Sequence, residues 1–168
     1  NLRINEDKSA VASAFSRKFL GYSMWVAKGG NVKLRVSTKA MEKFKNRIRE
    51  LTKRTRGRSI KRIVFELRRY LLGWRAYFIL AETPGRFQTL LRWIRRRLRA
   101  LQLKHWKRGP TAYRRLTRLG ASRATAANVA RNLKRWWRNA LRLAHFALPN
   151  RFFEKLGLPT LLELTSTN

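Results

Sequence analysis

The chain has 168 residues, enough for one compact core or two small subdomains sharing a surface, and too few for a large multidomain protein. Its 41 Lys and Arg against 8 Asp and Glu give a formal charge of +33, far beyond what solubility requires, so a polyanion partner is expected. An apolar content of 44 %, with six Trp and nine Phe, excludes a disordered basic tail; zero Cys excludes a disulfide framework and Cys-ligated zinc; no apolar run approaches the roughly 20 residues of a membrane span.

Leu2 and Ile4 alternate with polar neighbours ahead of the polar patch Asn5-Glu6-Asp7-Lys8-Ser9. Arg17 to Val26 is rich in strand formers, Gly29-Gly30 supplies a turn, and Val32, Leu34 and Val36 alternate with Lys33 and Arg35, which predicts a hairpin across residues 17 to 36. From Ser37, read as an N-cap, the period becomes helical, with Met41, Phe44, Ile48 and Leu51 on one face. Arg54 to Arg58 is a basic connector. Ser59 then caps a second helix carrying Ile60, Ile63, Val64, Leu67, Leu71, Trp74 and Phe78, which Thr83-Pro84-Gly85 is expected to end.

A third helix, roughly Arg86 to Lys107, puts Phe87, Leu90, Leu91, Ile94, Leu98 and Leu101 on one stripe, with Arg92, Arg95, Arg96, Arg99 and Lys107 largely elsewhere. Gly109-Pro110 starts a short helix through Arg118, and Gly120 stops it. Ser122 caps another turn or two of small residues toward Asn132. Two last short helices are expected over Asn139 to Ala147 and Asn150 to Leu156, punctuated by Pro149, Gly157 and Pro159. The fold class is mainly α, a short N-terminal β-hairpin followed by a helical bundle.

From Thr83 through Phe153 there is no carboxylate side chain, against 19 Lys and Arg. A solvated helix surface ordinarily mixes signs, because Glu and Lys four apart stabilise it; one-sign loading instead suits a phosphate-facing surface. A polymerase or nuclease centre needs clustered carboxylates for divalent metal, and the adjacent Glu6-Asp7 pair, read on a strand, points to opposite faces. His105 and His145 lack partners for a metal site or triad, and Ser9, Ser16, Ser23 and Ser59 have no placed base. No catalytic residue is assigned. Trp136-Trp137 beside Lys134, Arg135 and Arg138 could stack on unpaired bases; as neighbours they cannot face one side, so one is expected buried and one nearer the charged surface. Trp74, Trp93 and Trp106 read as packing residues.

The order of motifs resembles the C-terminal part of a group II intron reverse transcriptase, or intron-encoded maturase, over nearly the whole chain. Asn5 to Ser9 is similar to the strand and turn late in the palm, and Phe19-Leu20-Gly21-Tyr22 to the primer-grip motif. Leu67-Arg68-Arg69-Tyr70-Leu71-Leu72-Gly73-Trp74-Arg75-Ala76-Tyr77-Phe78 resembles the family's thumb helix, the more specific match. Trp93 to Arg99, Lys104 to Arg108 and Tyr113 to Gly120 continue in register; Trp137-Arg138-Asn139 and Ala147 to Phe153 resemble the close of the maturase domain. The sequence departs from the family where an Asp often precedes Trp-Ile-Arg, here Leu91 or Arg92, and where Asn139 stands at a common Ser.

The resemblance implies an end of palm with primer grip over residues 1–36, long thumb helices over 37–108 and a C-terminal maturase subdomain over 109–168. The family's catalytic Asp-Asp motif is expected upstream, so this chain is not expected to polymerise alone; it needs no cofactor, and the parent polymerase is expected to use Mg. Candidate contacts are the primer-grip residues Phe19, Leu20, Gly21 and Tyr22, and for nucleic acid Lys8, Arg68, Arg69, Arg75, Arg92, Arg95, Arg96, Arg99, Lys104, Lys107, Arg108, Arg114, Arg115, Arg118, Lys134, Arg135, Trp136 and Arg138. Expected partners are group II intron RNA, an RNA template with its DNA primer, target DNA, and the upstream fingers and palm, with no membrane, in a cytoplasmic ribonucleoprotein. Two alternatives stay open: the thumb of a domesticated or CRISPR-linked relative without an intron, and a basic structural protein.

Overall fold

The computed structural model describes residues 13–53, 57–142 and 148–161. The polar patch Asn5 to Ser9, with Glu6, Asp7 and Lys8, lies outside them, as do most of the basic connector and His145. The alternating segment pairs as an antiparallel sheet of β1 (Lys18–Phe19), β2 (Tyr22–Val26) and β3 (Val32–Val36), in that order. Register runs from Tyr22 opposite Val36 to Val26 opposite Val32, so the expected hairpin is present and gains one short strand.

Seven α-helices follow among the described residues: α1 (Thr38–Leu51), α2 (Ile60–Tyr77), α3 (Pro84–His105), α4 (Gly109–Arg118), α5 (Arg123–Arg131), α6 (Trp136–Arg142) and α7 (Asn150–Lys155). Ser37, Ser59 and Ser122 each accept from the backbone N–H three residues on, satisfying a donor that the helix cannot. Two expectations shift. α2 ends at Tyr77, well before Thr83-Pro84-Gly85, and Pro84 instead opens α3, where a missing N–H costs nothing. The helix expected from Asn139 begins at Trp136, because a 3-10 turn at Leu133–Arg135 runs straight into it and Asn139 Nδ2 turns back to donate to Asn132 O at 2.7 Å.

One buried apolar cluster joins these elements, built from Phe44 and Ile48 of α1, Ile63, Val64, Leu67 and Leu71 of α2, Phe87 to Leu103 of α3, Ala112 and Leu116 of α4, and Val129, Leu148, Phe153 and Leu161. The apolar stripes read from the sequence are its contributors, each fully buried Leu, Ile or Phe adding about 1.5–3 kcal/mol. An aromatic chain locks the sheet to the helices. Phe44 lies 4.3 Å from Trp74, Trp74 4.8 Å from Phe78, and Phe78 5.2 Å from Tyr22 by ring centroids. The recurring Trp and Phe of the α2 motif are therefore packing residues.

Candidate nucleic-acid interface

α3 forms a spine whose apolar stripe faces the core while cations flank it. On the side toward α6, Arg92, Arg95 and Arg96 line a groove of about 360 Å³ with Ala140, Leu141 and Asn150. Arg92 is exposed. Arg95 Nη2 donates to Glu154 Oε1 at 2.9 Å, and the Arg96 guanidinium sits 4.1 Å from the Trp137 ring centroid. The Nε atoms of Arg95 and Arg96 are buried without a hydrogen-bond partner.

The structure buries two of the candidate contacts, Arg75 and Arg99. Arg75 is 1 % exposed; its Nε donates to Leu161 O at 3.0 Å, its Nη1 to Phe78 O at 2.8 Å, and it lies over the Phe87 ring. Arg99 is 5 % exposed, with Nε donating to Leu148 O and Nη2 to Asn150 Oδ1. Burial, then the charge of Arg95, pushes the Arg99 guanidinium down to about 10. Both bind the chain to itself rather than face a ligand. Of the paired tryptophans, the indole nearer the surface is Trp137, 37 % exposed, whereas Trp136 packs partly buried against the core.

The remaining candidates lie outside. Arg69 is exposed on α2, and Arg68, also exposed, donates to Gly157 O at 3.1 Å. Lys104, Lys107, Arg108, Arg114, Arg115, Arg118, Lys134, Arg135 and Arg138 are exposed and make no ion pair among the described residues. Packing of α4 on α5 brings separated stretches together: a Cβ on Gly109 would stand 3.1 Å from Ala130 O. Lys107, Arg131, Lys134 and Arg135 consequently line one groove of about 500 Å³. Arg131 was absent from the sequence candidates; its signal was the carboxylate-free stretch, but only the fold puts it beside Lys107.

Phe19 and Leu20 are 76 % and 65 % exposed at the β1–β2 turn. Leu20 and Gly21 both take positive φ, +48 and +82, which a two-residue hairpin of this hand requires. α2 braces it: Tyr77 Oη donates to Leu20 O at 3.0 Å, and Tyr22 Oη donates to Tyr77 O at 2.7 Å. Gly21 O accepts from Ser37 N at 2.8 Å, tying the turn to the start of α1. The Phe19 to Tyr22 segment is an apolar tip braced by α2 and the start of α1.

Among the described residues no three His, Asp or Glu side chains group to hold a metal, and no helix is long and apolar enough to cross a membrane. Fold and surface together define a mainly helical, carboxylate-poor basic module with a small sheet braced against its second helix. Residues 41–120, from Met41 in α1 to Gly120 just past α4, match the family model described as the group II intron, maturase-specific domain. That match supports reading the segment as the C-terminal part of a group II intron maturase, a domain that implies group II intron RNA as partner. Comparison with curated proteins gave no match.

Proposed function

We propose that this chain binds structured group II intron RNA through the exposed cations of α3, α4 and the Lys134 to Arg138 segment, helping the RNA reach its splicing-competent fold. The same helices grip template and primer during reverse transcription, with the Phe19-Leu20 tip set near the primer end. The carrying observation is the array of exposed Lys and Arg that makes no ion pair among the described residues. Cations on rigid helices contact phosphate and shape rather than read base edges, which suits a folded RNA. Each phosphate neutralised steepens the salt dependence of binding by roughly 0.7 to 0.9 log units. This reading places the chain in a cytoplasmic ribonucleoprotein, beside the fingers and palm of a polymerase.

The test is the triple variant Arg114→Glu, Arg115→Glu, Arg118→Glu, all exposed on α4 and outside the core. Filter binding to the folded intron RNA should show affinity lost at moderate salt and a flatter salt slope. Unchanged affinity and slope would sink the reading.

A further inference from the structure

α3 has a second basic flank that the motifs did not point to. Met41, Lys45 and Arg49 recur every four residues along α1, and Arg86, Leu90 and Trp93 form a matching row on α3. The two rows face each other across a groove of about 560 Å³, and no carboxylate lines it. At 1.5 Å per residue the row from Met41 to Arg49 extends about 12 Å. The floor is apolar, from Met41, Leu90 and half-buried Trp93, and the rims carry Lys45, Arg49 and Arg86.

We propose that this α1–α3 groove binds an unpaired nucleic-acid strand, with a base against the Trp93 indole and the adjoining phosphates on Lys45, Arg49 and Arg86. The proposal rests on the nucleic-acid reading above for its class of partner, but not on the α4 face. A duplex would present phosphate and sugar to this apolar floor, whereas an unpaired nucleotide offers a flat apolar face beside its charge. Trp93 already has two guanidinium groups near its ring, Arg49 at 5.8 Å and Arg97 at 5.3 Å from the centroid. Arg49 is exposed, and exchanging its hydrogen bond to Asn46 Oδ1 for one to a phosphate would let it swing aside and keep its charge paired as a base enters.

The experiment uses the whole chain and fluorescently labelled oligouridylate and oligothymidylate, unstructured strands that contain no intron sequence. Anisotropy titrations compare wild type with Lys45→Glu, Arg49→Glu, Arg86→Glu and with the equally charged Arg114→Glu, Arg115→Glu, Arg118→Glu. The groove variant should lose at least about tenfold more affinity than the α4 variant, and its salt slope should fall by roughly 2. Equal losses in the two variants, or none in the groove variant, would overturn the proposal. In wild type, a 4-thiouridine strand should photo-crosslink to the Leu90 to Ile94 segment; crosslinks confined to α4 or to Lys134 to Arg138 would overturn it whether or not the variants fold. Polyglutamate displacing the strand as well as unlabelled oligouridylate does would reassign the groove to an acidic peptide. Intron binding retained while oligonucleotide binding fails counts against this site alone; the opposite result counts against the intron reading alone.

Discussion

The Arg96 guanidinium stacks over the Trp137 indole, 4.1 Å from the ring centroid, and joins α3 to α6 across the basic groove. A partly exposed cation–π contact contributes about 0.5–1 kcal/mol, so Trp137→Ala should lower folding stability by at least about that in urea titration, with the lost burial of the indole added to it. Intron RNA affinity should fall severalfold, with Trp137→Phe retaining most of it. Affinity that stays at the wild-type value in Trp137→Ala would remove this indole from the interface.

Arg75 and Arg99 each anchor two acceptors from beneath the surface. Replacing either with Met leaves buried carbonyls unpartnered and should cost roughly 2 to 4 kcal/mol in urea unfolding. Arg92→Met, at an exposed position of the same spine, should stay within about 0.5 kcal/mol of wild type. Equal stabilities for Arg92→Met and Arg99→Met would contradict the buried assignment.

Gly21 is constrained twice, by φ of +82 and by Phe78, whose Cζ would stand 3.1 Å from an added Cβ. Gly21→Ala should destabilise by about 1–3 kcal/mol, and loosen the Phe19-Leu20 tip as well. Thermal melts check the first effect. Hydrogen exchange at Ser37 N–H, which donates to Gly21 O, checks the second.

His105 is held below its ordinary 6.5 by burial and then by the charge of Lys104. Its neutral form suits the fold, so as pH falls through 6.5 the unfolded chain takes up the proton first, and stability drops until the folded value is passed. Glu66, kept below its ordinary 4.5 chiefly by the Arg58 hydrogen bond, contributes stability that is lost only at more acid pH. The urea midpoint should therefore fall between about pH 7 and about pH 5, and His105→Gln should flatten that step. An undiminished step in the variant would assign it to other groups.

Local chemistry made much of the fold legible. The three serine caps and the Phe44, Leu67 and Ile94 stripes depend on neighbours within a helical turn or two, and they formed where the sequence placed them. Arg75 was legible in principle, since it sits four residues after Leu71 and eight after Leu67 on the apolar stripe.

By itself the sequence determined a helical, carboxylate-poor basic module with maturase motifs, because helical period, capping and net charge are properties of short stretches and of composition. Tertiary structure decided which cations are exposed and which are buried. Arg99 lies off the apolar stripe of α3, yet Leu148 and Asn150 fold over it and take its hydrogen bonds. A 3-10 turn set the phase of α6 and so put Trp137, not Trp136, beneath Arg96. Lys45 and Arg86, on different helices, line one groove only after α1 and α3 pack around a shared core. Burial and proximity between distant segments follow from how the helices stack, which no local pattern encodes.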